Sequence, residues 1–85
     1  MKTILLIFIS NRKDTAIKVQ QVITAWAYII KTRLGIHDGV KNNNPDEALL
    51  VLELYGKEKD KRELAKKISL IEGVSSQLVE LNIPA

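Results

Sequence analysis

His37 and Asp38 are adjacent in the sequence, and a histidine beside a carboxylate can transfer protons or bind a metal ion. A metal site needs three or four ligands, however, and this chain has one histidine and no cysteine. We therefore interpret His37 as a polar residue that enters a turn, and we predict that a single chain forms no metal cage of its own. Because the sequence has no glycine-rich phosphate loop and no nucleophile paired with a base, we expect no enzymatic activity, and the residues identify no cofactor.

Basic residues are concentrated between positions 57 and 67, where they alternate with acidic ones. The basic residues are Lys57, Lys59, Lys61, Arg62, Lys66 and Lys67, and the acidic residues among them are Glu58, Asp60 and Glu63. A purely basic patch would indicate phosphate binding. Alternating signs are instead typical of a solvated helix face, which is the simpler interpretation here.

Phe8 and Tyr55 are aromatic residues that fall on the first and third predicted strands. Ferredoxin-like sheets that bind RNA stack bases on aromatic side chains of those two strands. A nucleic-acid-binding domain that uses its sheet face is therefore an alternative hypothesis. The residues before Tyr55 lack the additional aromatic residues and glycines of that RNA-binding motif, so packing in a core or an interface explains both side chains more simply.

The composition is that of one small globular domain over residues 1–85. Apolar residues make up 46% of the 85 residues and charged residues 27%, and the net charge is +3. This charge is too small to indicate a dedicated nucleic-acid binder. Without cysteine there are no disulfides, and we predict a cytoplasmic location. The longest apolar run, Ile4–Ile9, is far shorter than the ~20 residues that cross a bilayer, so we expect no membrane association.

Hydrophobic patterning predicts the element order β-α-β-β-α-β. The predicted elements are a strand over Thr3–Ile9, a helix from Asp14 to near Trp26, strands over Tyr28–Ile36 and Glu47–Tyr55, a helix that starts at Asp60 and ends at Gly73, and a strand over Val74–Leu81. Asp14 and Asp60 are predicted N-caps, and Gly73 suits a left-handed C-cap. A loop over residues 37–45 carries the turn residues Asp38-Gly39 and Asn42 to Pro45.

The start of the second strand is the least obvious boundary. Helix propensity alone would continue the first helix to Arg33, but a strand as long as its partner over Glu47–Tyr55 has to begin near Tyr28. Strand alternation then places Ile30, Thr32, Leu34 and Ile36 on one face, with Lys31 and Arg33 on the other.

This order predicts an α+β fold, a ferredoxin-like sandwich in which a four-stranded antiparallel sheet carries both helices on one face. The first and third strands are apolar on both faces, so we place them at the centre of the sheet. Two helices cover only one face, and the other keeps a contiguous apolar surface. We therefore predict a homo-oligomer, a dimer or a tetramer, that forms through this uncovered face.

Four short segments resemble the family of iron-only hydrogenase system regulators. They are I-S-N-R over Ile9–Arg12, V-Q-Q-V-I over Val19–Ile23, R-L-G-I over Arg33–Ile36 and I-E-G-V over Ile71–Val74. Members of that family commonly read R-M-G-I-P-Y at the second strand. Here Leu34 replaces the methionine, and His37-Asp38 replace the proline and tyrosine.

The resemblance implies an ACT-like regulatory domain, similar in fold to the C-terminal domain of nickel-responsive repressors, which form tetramers. It implies a transcriptional regulator. Because the sequence has no DNA-binding ribbon or helix-turn-helix, we do not expect this protein to bind nucleic acid by itself, and it would act as a sensor or through a partner. ACT-like domains bind small molecules near the turn after strand one, at a subunit boundary. The corresponding ligand-binding residues are Asn11, Arg12, Arg33, Gly35 and His37. Nickel is not implied, because the histidine and cysteine set of those repressors is missing.

Overall fold

Two apolar strands occupy the centre of a four-stranded antiparallel sheet. The computed structural model describes residues 1–10, 13–36 and 48–84. Its elements are β1 (Lys2–Ile9), α1 (Lys13–Ala25), a 3-10 turn (Ala27–Ile29), β2 (Ile30–Ile36), β3 (Ala48–Leu54), α2 (Glu58–Ser69) and β4 (Val74–Leu81). The strand order is β2-β3-β1-β4, and every neighbouring pair is antiparallel. The predicted ferredoxin-like fold, with the first and third strands at the centre, is confirmed.

Strict alternation along the two central strands divides the sheet into two faces. On β1 the inward residues are Thr3, Leu5, Ile7 and Ile9, and on β3 they are Ala48, Leu50, Leu52 and Leu54; all are buried. Both helices pack on this side, which we call the helix face. Val19 and Ile23 of α1 and Leu64 and Ile68 of α2, which are spaced one helical turn apart on each helix, complete the core. Burial of these side chains is the main source of folding free energy.

The first helix ends where the pattern predicted, but β2 begins two residues later than expected. Helix α1 stops at Ala25, and a 3-10 turn takes up Tyr28 and Ile29 before the strand starts at Ile30. This turn directs Ile29 into the core, where it is buried, and its carbonyl accepts a hydrogen bond from the Tyr55 amide at 2.9 Å. The predicted start at Tyr28 is therefore wrong, because burial of Ile29 requires a turn there.

A β-bulge near the start of β2 reverses which face of the sheet its first residues lie on. Ile30 lies opposite Leu54, yet Thr32 lies opposite Glu53, so the register shifts across Lys31. Ile30 consequently packs against the core, and only the later members of the predicted set, Thr32 onward, share the other face. Lys31 was expected beside Arg33 but instead approaches Glu53 on that other face. A bulge inserts one residue and so reverses the alternation before it.

The predicted helix caps are shifted along the chain. Helix α1 already includes Lys13 and α2 already includes Glu58, so Asp14 and Asp60 lie within first turns and not at N-caps. Their carboxylates there still complement the positive end of each helix dipole. Gly73 has the left-handed backbone that was predicted, with φ of 89°, but α2 ends at Ser69, and Gly73 belongs to the turn before β4.

Candidate functional site

The face of the sheet opposite the helices is mostly apolar, and we call it the open face. Its apolar residues are Ile4, Leu6 and Phe8 of β1, Leu34 and Ile36 of β2, Leu49 and Val51 of β3, and Val79 and Leu81 of β4. The strand register places Leu34, Val51 and Leu6 in one continuous row across three strands. The apolar side chains are therefore contiguous.

Much of the open face is accessible to solvent. Leu34 is 54% exposed, Leu81 57%, and Phe8 and Ile36 are each 44% exposed. The residues in the middle of the face, such as Leu6 and Val51, are partly covered by these neighbours. No helix of the described part of the chain packs on this side. Contiguous exposed apolar surface of this kind marks an interaction site.

One end of the open face carries charge. The Lys2 Nζ lies 2.7 Å from the Glu53 Oε2 and donates a hydrogen bond to it, and the Lys31 Nζ lies 4.0 Å from the same oxygen. The hydrogen bond from Lys2 is the main reason that the pKa of Glu53 lies below its ordinary value. Glu53 is therefore ionised and neutralised by its neighbours at pH 7, which makes its position on an apolar face less costly.

The helix side of β2 carries the two predicted ligand residues that the structure describes. Arg33 is exposed at the edge of the sheet, and its Nη2 donates a hydrogen bond to the Oε1 of Gln20 on α1 at 2.7 Å. Gly35 lies opposite Leu50, and an added Cβ would meet only Leu50 Cδ2, at 3.5 Å. Asn11, Arg12 and His37 lie outside the described residues, so the full predicted ligand set is not tested.

A shallow groove of about 500 Å³ runs along the exposed side of α1. It is lined by Ala16, Ile17, Gln20, Gln21 and Thr24. Because Gln20 both lines the groove and binds Arg33, the guanidinium lies at the groove rim. Sequence reasoning missed Gln20, because no sequence pattern shows which residue of α1 lies beside Arg33. The lining is largely apolar with two amides, and a cation stands beside it. This arrangement suits a small molecule with an apolar body and a carboxylate.

A tight polar corner fixes the chain where β1 leads toward α1. The Ser10 amide donates to the Gly73 carbonyl at 3.0 Å, and the Thr15 hydroxyl donates to the Glu72 carbonyl at 3.0 Å. A Cβ on Gly73 would lie 2.7 Å from Thr15 Oγ1 and 2.8 Å from Ser10 Oγ. Only glycine fits here, and the corner ties the start of α1 to the turn before β4.

The aromatic residues are not arranged as an RNA-binding pair. Phe8 lies on the open face opposite Leu49 of β3. Tyr55 comes six residues after Leu49, just beyond the end of β3. At the rise of a strand this places the two residues about 20 Å apart along the sheet. Tyr28 instead stacks on Trp26, with ring centroids 5.8 Å apart. Partial desolvation, with the nearby Asp60 and Glu63 carboxylates, raises the pKa of Tyr28.

The described ranges contain neither a cluster of metal-ligating side chains nor a membrane-spanning helix. Within residues 1–10, 13–36 and 48–84, no three His, Cys, Asp or Glu side chains come together as a metal site. His37 lies outside these ranges, so the prediction about metal binding is still to be tested. No helix in the same ranges has the length and apolarity needed to span a bilayer.

Comparison with known proteins supports the fold. No family model matches the chain, and no curated protein matches its sequence. Among solved structures, it is similar to the uncharacterized protein TM1266 of Thermotoga maritima, with a TM-score of 0.82 and 22% identity, covering 95% of this chain and 96% of that one. It is also similar to part of a formyltetrahydrofolate deformylase from Pseudomonas putida, with a TM-score of 0.59 and 13% identity, covering 95% of this chain and 29% of the enzyme. At these identities the likeness establishes the fold alone.

Proposed function

We propose that this protein is a small ACT-like regulatory module that binds a small-molecule ligand and assembles with copies of itself through the open face. The observation that carries the proposal is the contiguous apolar surface of the open face, which includes Leu34, Phe8 and Leu81 at about half exposure. Interfaces between copies of one chain are more apolar than the rest of a protein surface, whereas a catalytic surface would need reactive polar groups.

The segments that carry the family resemblance lie next to one another in space, which supports the ACT-like interpretation. Gln20 of V-Q-Q-V-I accepts the hydrogen bond from Arg33 of R-L-G-I. Ser10 of I-S-N-R donates to the carbonyl of Gly73 in I-E-G-V, and Ile9 pairs with Val74 across the sheet. The four segments thus form two contacting pairs, one at the α1–β2 edge and one at the end of β1.

The ligand we propose is a small carboxylate, such as an amino acid or an organic acid, held at the rim of the α1 groove. Arg33 supplies a guanidinium that can bind a carboxylate with two hydrogen bonds, and Gln20 can exchange its bond to Arg33 for one to the ligand. Arg12 follows β1 in sequence and is the second candidate cation, as the family resemblance implies.

Thermal-shift screening of amino acids and organic acids tests the ligand site. We expect at least one carboxylate to raise the melting temperature of the parent protein and to lose that effect in Arg33→Gln, because the variant lacks the guanidinium charge. Arg62→Gln is the matched control, since Arg62 is an exposed arginine on α2, away from the groove. An equal stabilisation of Arg33→Gln and the parent would move the site elsewhere, and Arg12→Ala would then be the variant to compare.

We also propose that the module acts without catalysis. The structure pairs the Lys61 ammonium with the Thr3 hydroxyl at 3.2 Å, the kind of pair that could activate a nucleophile. Lys61 of α2 and Thr3 of β1 are both buried between the helix and the sheet, where a substrate has no access. A turnover assay with the carboxylates that bind in the thermal-shift screen is the direct check, and product formation above the rate without protein would contradict the proposal.

The link to iron-only hydrogenase systems is the most specific part of the proposal and rests on the sequence resemblance. We expect a strain that lacks this protein to show altered transcript levels of its iron-only hydrogenase genes under conditions that induce them. A strain that carries Lys67→Ala provides the control, because Lys67 is an exposed residue of α2 outside the predicted ligand set. Unchanged hydrogenase transcripts in the deletion strain would remove the link while leaving the ligand site and the assembly to stand on their own tests.

A further inference from the structure

Among the described strands, none pairs with the outer edge of β4. Strand β4 is the last strand of the sheet and pairs with β1 without interruption, from Lys2 opposite Leu81 to Ile9 opposite Val74. No described residue outside β1 pairs with it as a further strand. A free edge exposes unpaired N–H and C=O groups that can hydrogen-bond to another strand.

The two edges of this sheet differ in how they are protected. Strand β2, at the other edge, carries a bulge between Ile30 and Thr32 and the charged side chains of Lys31 and Arg33. Bulges and basic residues are the usual devices that prevent an edge strand from pairing. Strand β4 reads V-S-S-Q-L-V-E-L, with no bulge, no basic residue and no proline, and its one charged residue is Glu80. The protected edge is β2, and β4 is left able to pair.

We propose that β4 pairs antiparallel with β4 of a second copy of this chain, so that two four-stranded sheets join into one sheet of eight strands. The two-fold axis is perpendicular to the sheet, which keeps both open faces on the same side. Residues that lie opposite each other across the β4–β4 contact must then share a face. This is possible only if one residue near the middle of the strand, Gln77 or Leu78, lies opposite its own copy at the two-fold axis.

The sequence of β4 is compatible with itself in both registers. An axis at Gln77 places Glu80 opposite Val74, and an axis at Leu78 places Glu80 opposite Ser76. Neither register brings the two Glu80 carboxylates directly opposite each other, which would be destabilising. Two copies of β4 can therefore pair without repulsion between their Glu80 carboxylates, which are the only charged groups of the strand.

Edge pairing also extends the open face. The open side of β4 carries Val79 and Leu81 together with Ser75 and Gln77. Pairing therefore places the open faces of the two copies side by side as one wider surface. If the open face also pairs, as the proposed function requires, two edge-paired dimers stack face to face as a tetramer with three mutually perpendicular two-fold axes. Edge and face contacts are separate and can be broken separately.

Disulfide cross-linking tests the edge contact without interference, because the chain has no cysteine. We use the single-cysteine variants Ser75→Cys, Gln77→Cys and Val79→Cys, each in a Val51→Lys background that disrupts the open face. Directly opposed residues of antiparallel strands have Cα atoms about 4.5–5.5 Å apart, within reach of a disulfide. An axis at Gln77 predicts that Gln77→Cys cross-links alone and that Ser75→Cys cross-links with Val79→Cys. An axis at Leu78 predicts cross-linking of Gln77→Cys with Val79→Cys.

Thr32→Cys on the protected β2 edge is the matched control, and we expect it to form no covalent dimer. The proposal is overturned if no β4 combination cross-links, or if Thr32→Cys cross-links as efficiently as the β4 variants.

Light scattering separates this result from a failure of the proposed function. A wild-type tetramer that becomes a dimer on Val51→Lys supports both contacts, and a dimer that becomes a monomer overturns the edge contact alone. A dimer that Val51→Lys leaves intact and that cross-links through β4 supports the edge contact while contradicting the open-face assembly. Leu34→Lys, at a half-exposed position, replaces Val51→Lys if the latter does not fold.

Discussion

Gly73 is the residue at which the polar corner of this protein closes. Its φ of 89° lies in the left-handed region, and its carbonyl accepts the hydrogen bond from the Ser10 amide. The hydroxyl oxygens of Thr15 and Ser10 occupy the space where a side chain would be. The residue is therefore constrained in two ways, by its backbone conformation and by its neighbours.

We predict that Gly73→Ala is the most destabilising glycine-to-alanine change among the described glycines. The strained backbone and a Cβ 2.7 Å from Thr15 Oγ1 together cost on the order of 2–4 kcal/mol in the free energy of unfolding. Gly35→Ala is the control, since its Cβ meets only Leu50 Cδ2 at an ordinary 3.5 Å. Urea denaturation measures both variants, and equal stabilities would contradict the corner geometry.

The ion pair between Lys2 and Glu53 makes the stability of the protein depend on pH. The hydrogen bond from Lys2 lowers the pKa of Glu53 in the folded protein, so its contribution to stability is present above the unfolded pKa and is lost as pH falls through the folded pKa. We expect Glu53→Gln to be less stable than the parent at pH 7 and to approach it as the pH falls below the ordinary glutamate value of 4.5. A difference between parent and variant that stays constant from pH 7 to pH 3, measured by thermal unfolding, would contradict this assignment.

At the scale of elements, Lys61 connects α2 to β1 in an unexpected way. The residue is only 7% exposed, and its Nζ donates to Thr3 Oγ1 and to Glu58 Oε1, both at 3.2 Å. Sequence reasoning placed it with the solvated lysines, because alternating charge cannot show which lysine lies over the sheet. Its aliphatic stem packs inward while its ammonium is held by two oxygens.

We predict that Lys61→Ala lowers the free energy of unfolding by about 1–3 kcal/mol, since it removes both the packed stem and the partner of a buried hydroxyl. Lys61→Met should recover part of that loss, because methionine restores the stem but not the hydrogen bonds. Lys67→Ala, at an exposed position on the same helix, should change stability by less than about 0.5 kcal/mol. Chemical denaturation of the three variants checks the order, and a Lys67→Ala loss as large as that of Lys61→Ala would refute it.

The elements themselves were predictable from sequence because their hydrophobic periods are strong. The apolar runs of β1 and β3 and the helical spacing of Val19 and Ile23 on α1 predict the fold, and the structure places these residues in its strands and its core. The details that failed are those decided by packing. The bulge at Lys31 and the turn at Tyr28 arise because Ile29 and Ile30 both have to reach the core, which no local pattern reveals.

The candidate site was predictable only in part for a similar reason. Arg33 was chosen because of the family resemblance, and in the structure its guanidinium donates a hydrogen bond to Gln20, which lines the α1 groove. Its hydrogen bond to Gln20 depends on how α1 lies across the sheet, which is a property of tertiary packing. The open face, by contrast, followed from counting: two helices cover one side, and both central strands are apolar on two sides.

At the scale of the whole molecule, the open face is the feature that most needs explanation. Burying ~500 Å² of its apolar surface at ~25 cal/mol per Å² contributes about 12 kcal/mol to association. The loss of translational and rotational freedom on association costs about 4–15 kcal/mol, which is similar to this gain. A second contact between the copies would therefore make the complex more stable than the open face alone can. The sheet edge at β4 offers a second contact of this kind.

Leu50 illustrates why the structure is needed to choose the variant that tests this assembly. Leu50 lies on the helix face and is buried, so a charge there would unfold the protein and would not report on the interface. Val51, one residue further, lies in the central row of the open face between Leu34 and Leu6. Ala25→Lys adds the same charge at an exposed position near the end of α1 and serves as the control.

The molar mass of the protein by light scattering at micromolar concentration is the most direct test of assembly through the open face. We predict a parent mass of two or four times 9.6 kDa, a mass at least halved by Val51→Lys, and no change with Ala25→Lys. Circular dichroism should show that both variants remain folded. A parent protein that scatters as a 9.6 kDa monomer, or a folded Val51→Lys variant with the parent's mass, would contradict assembly through this face.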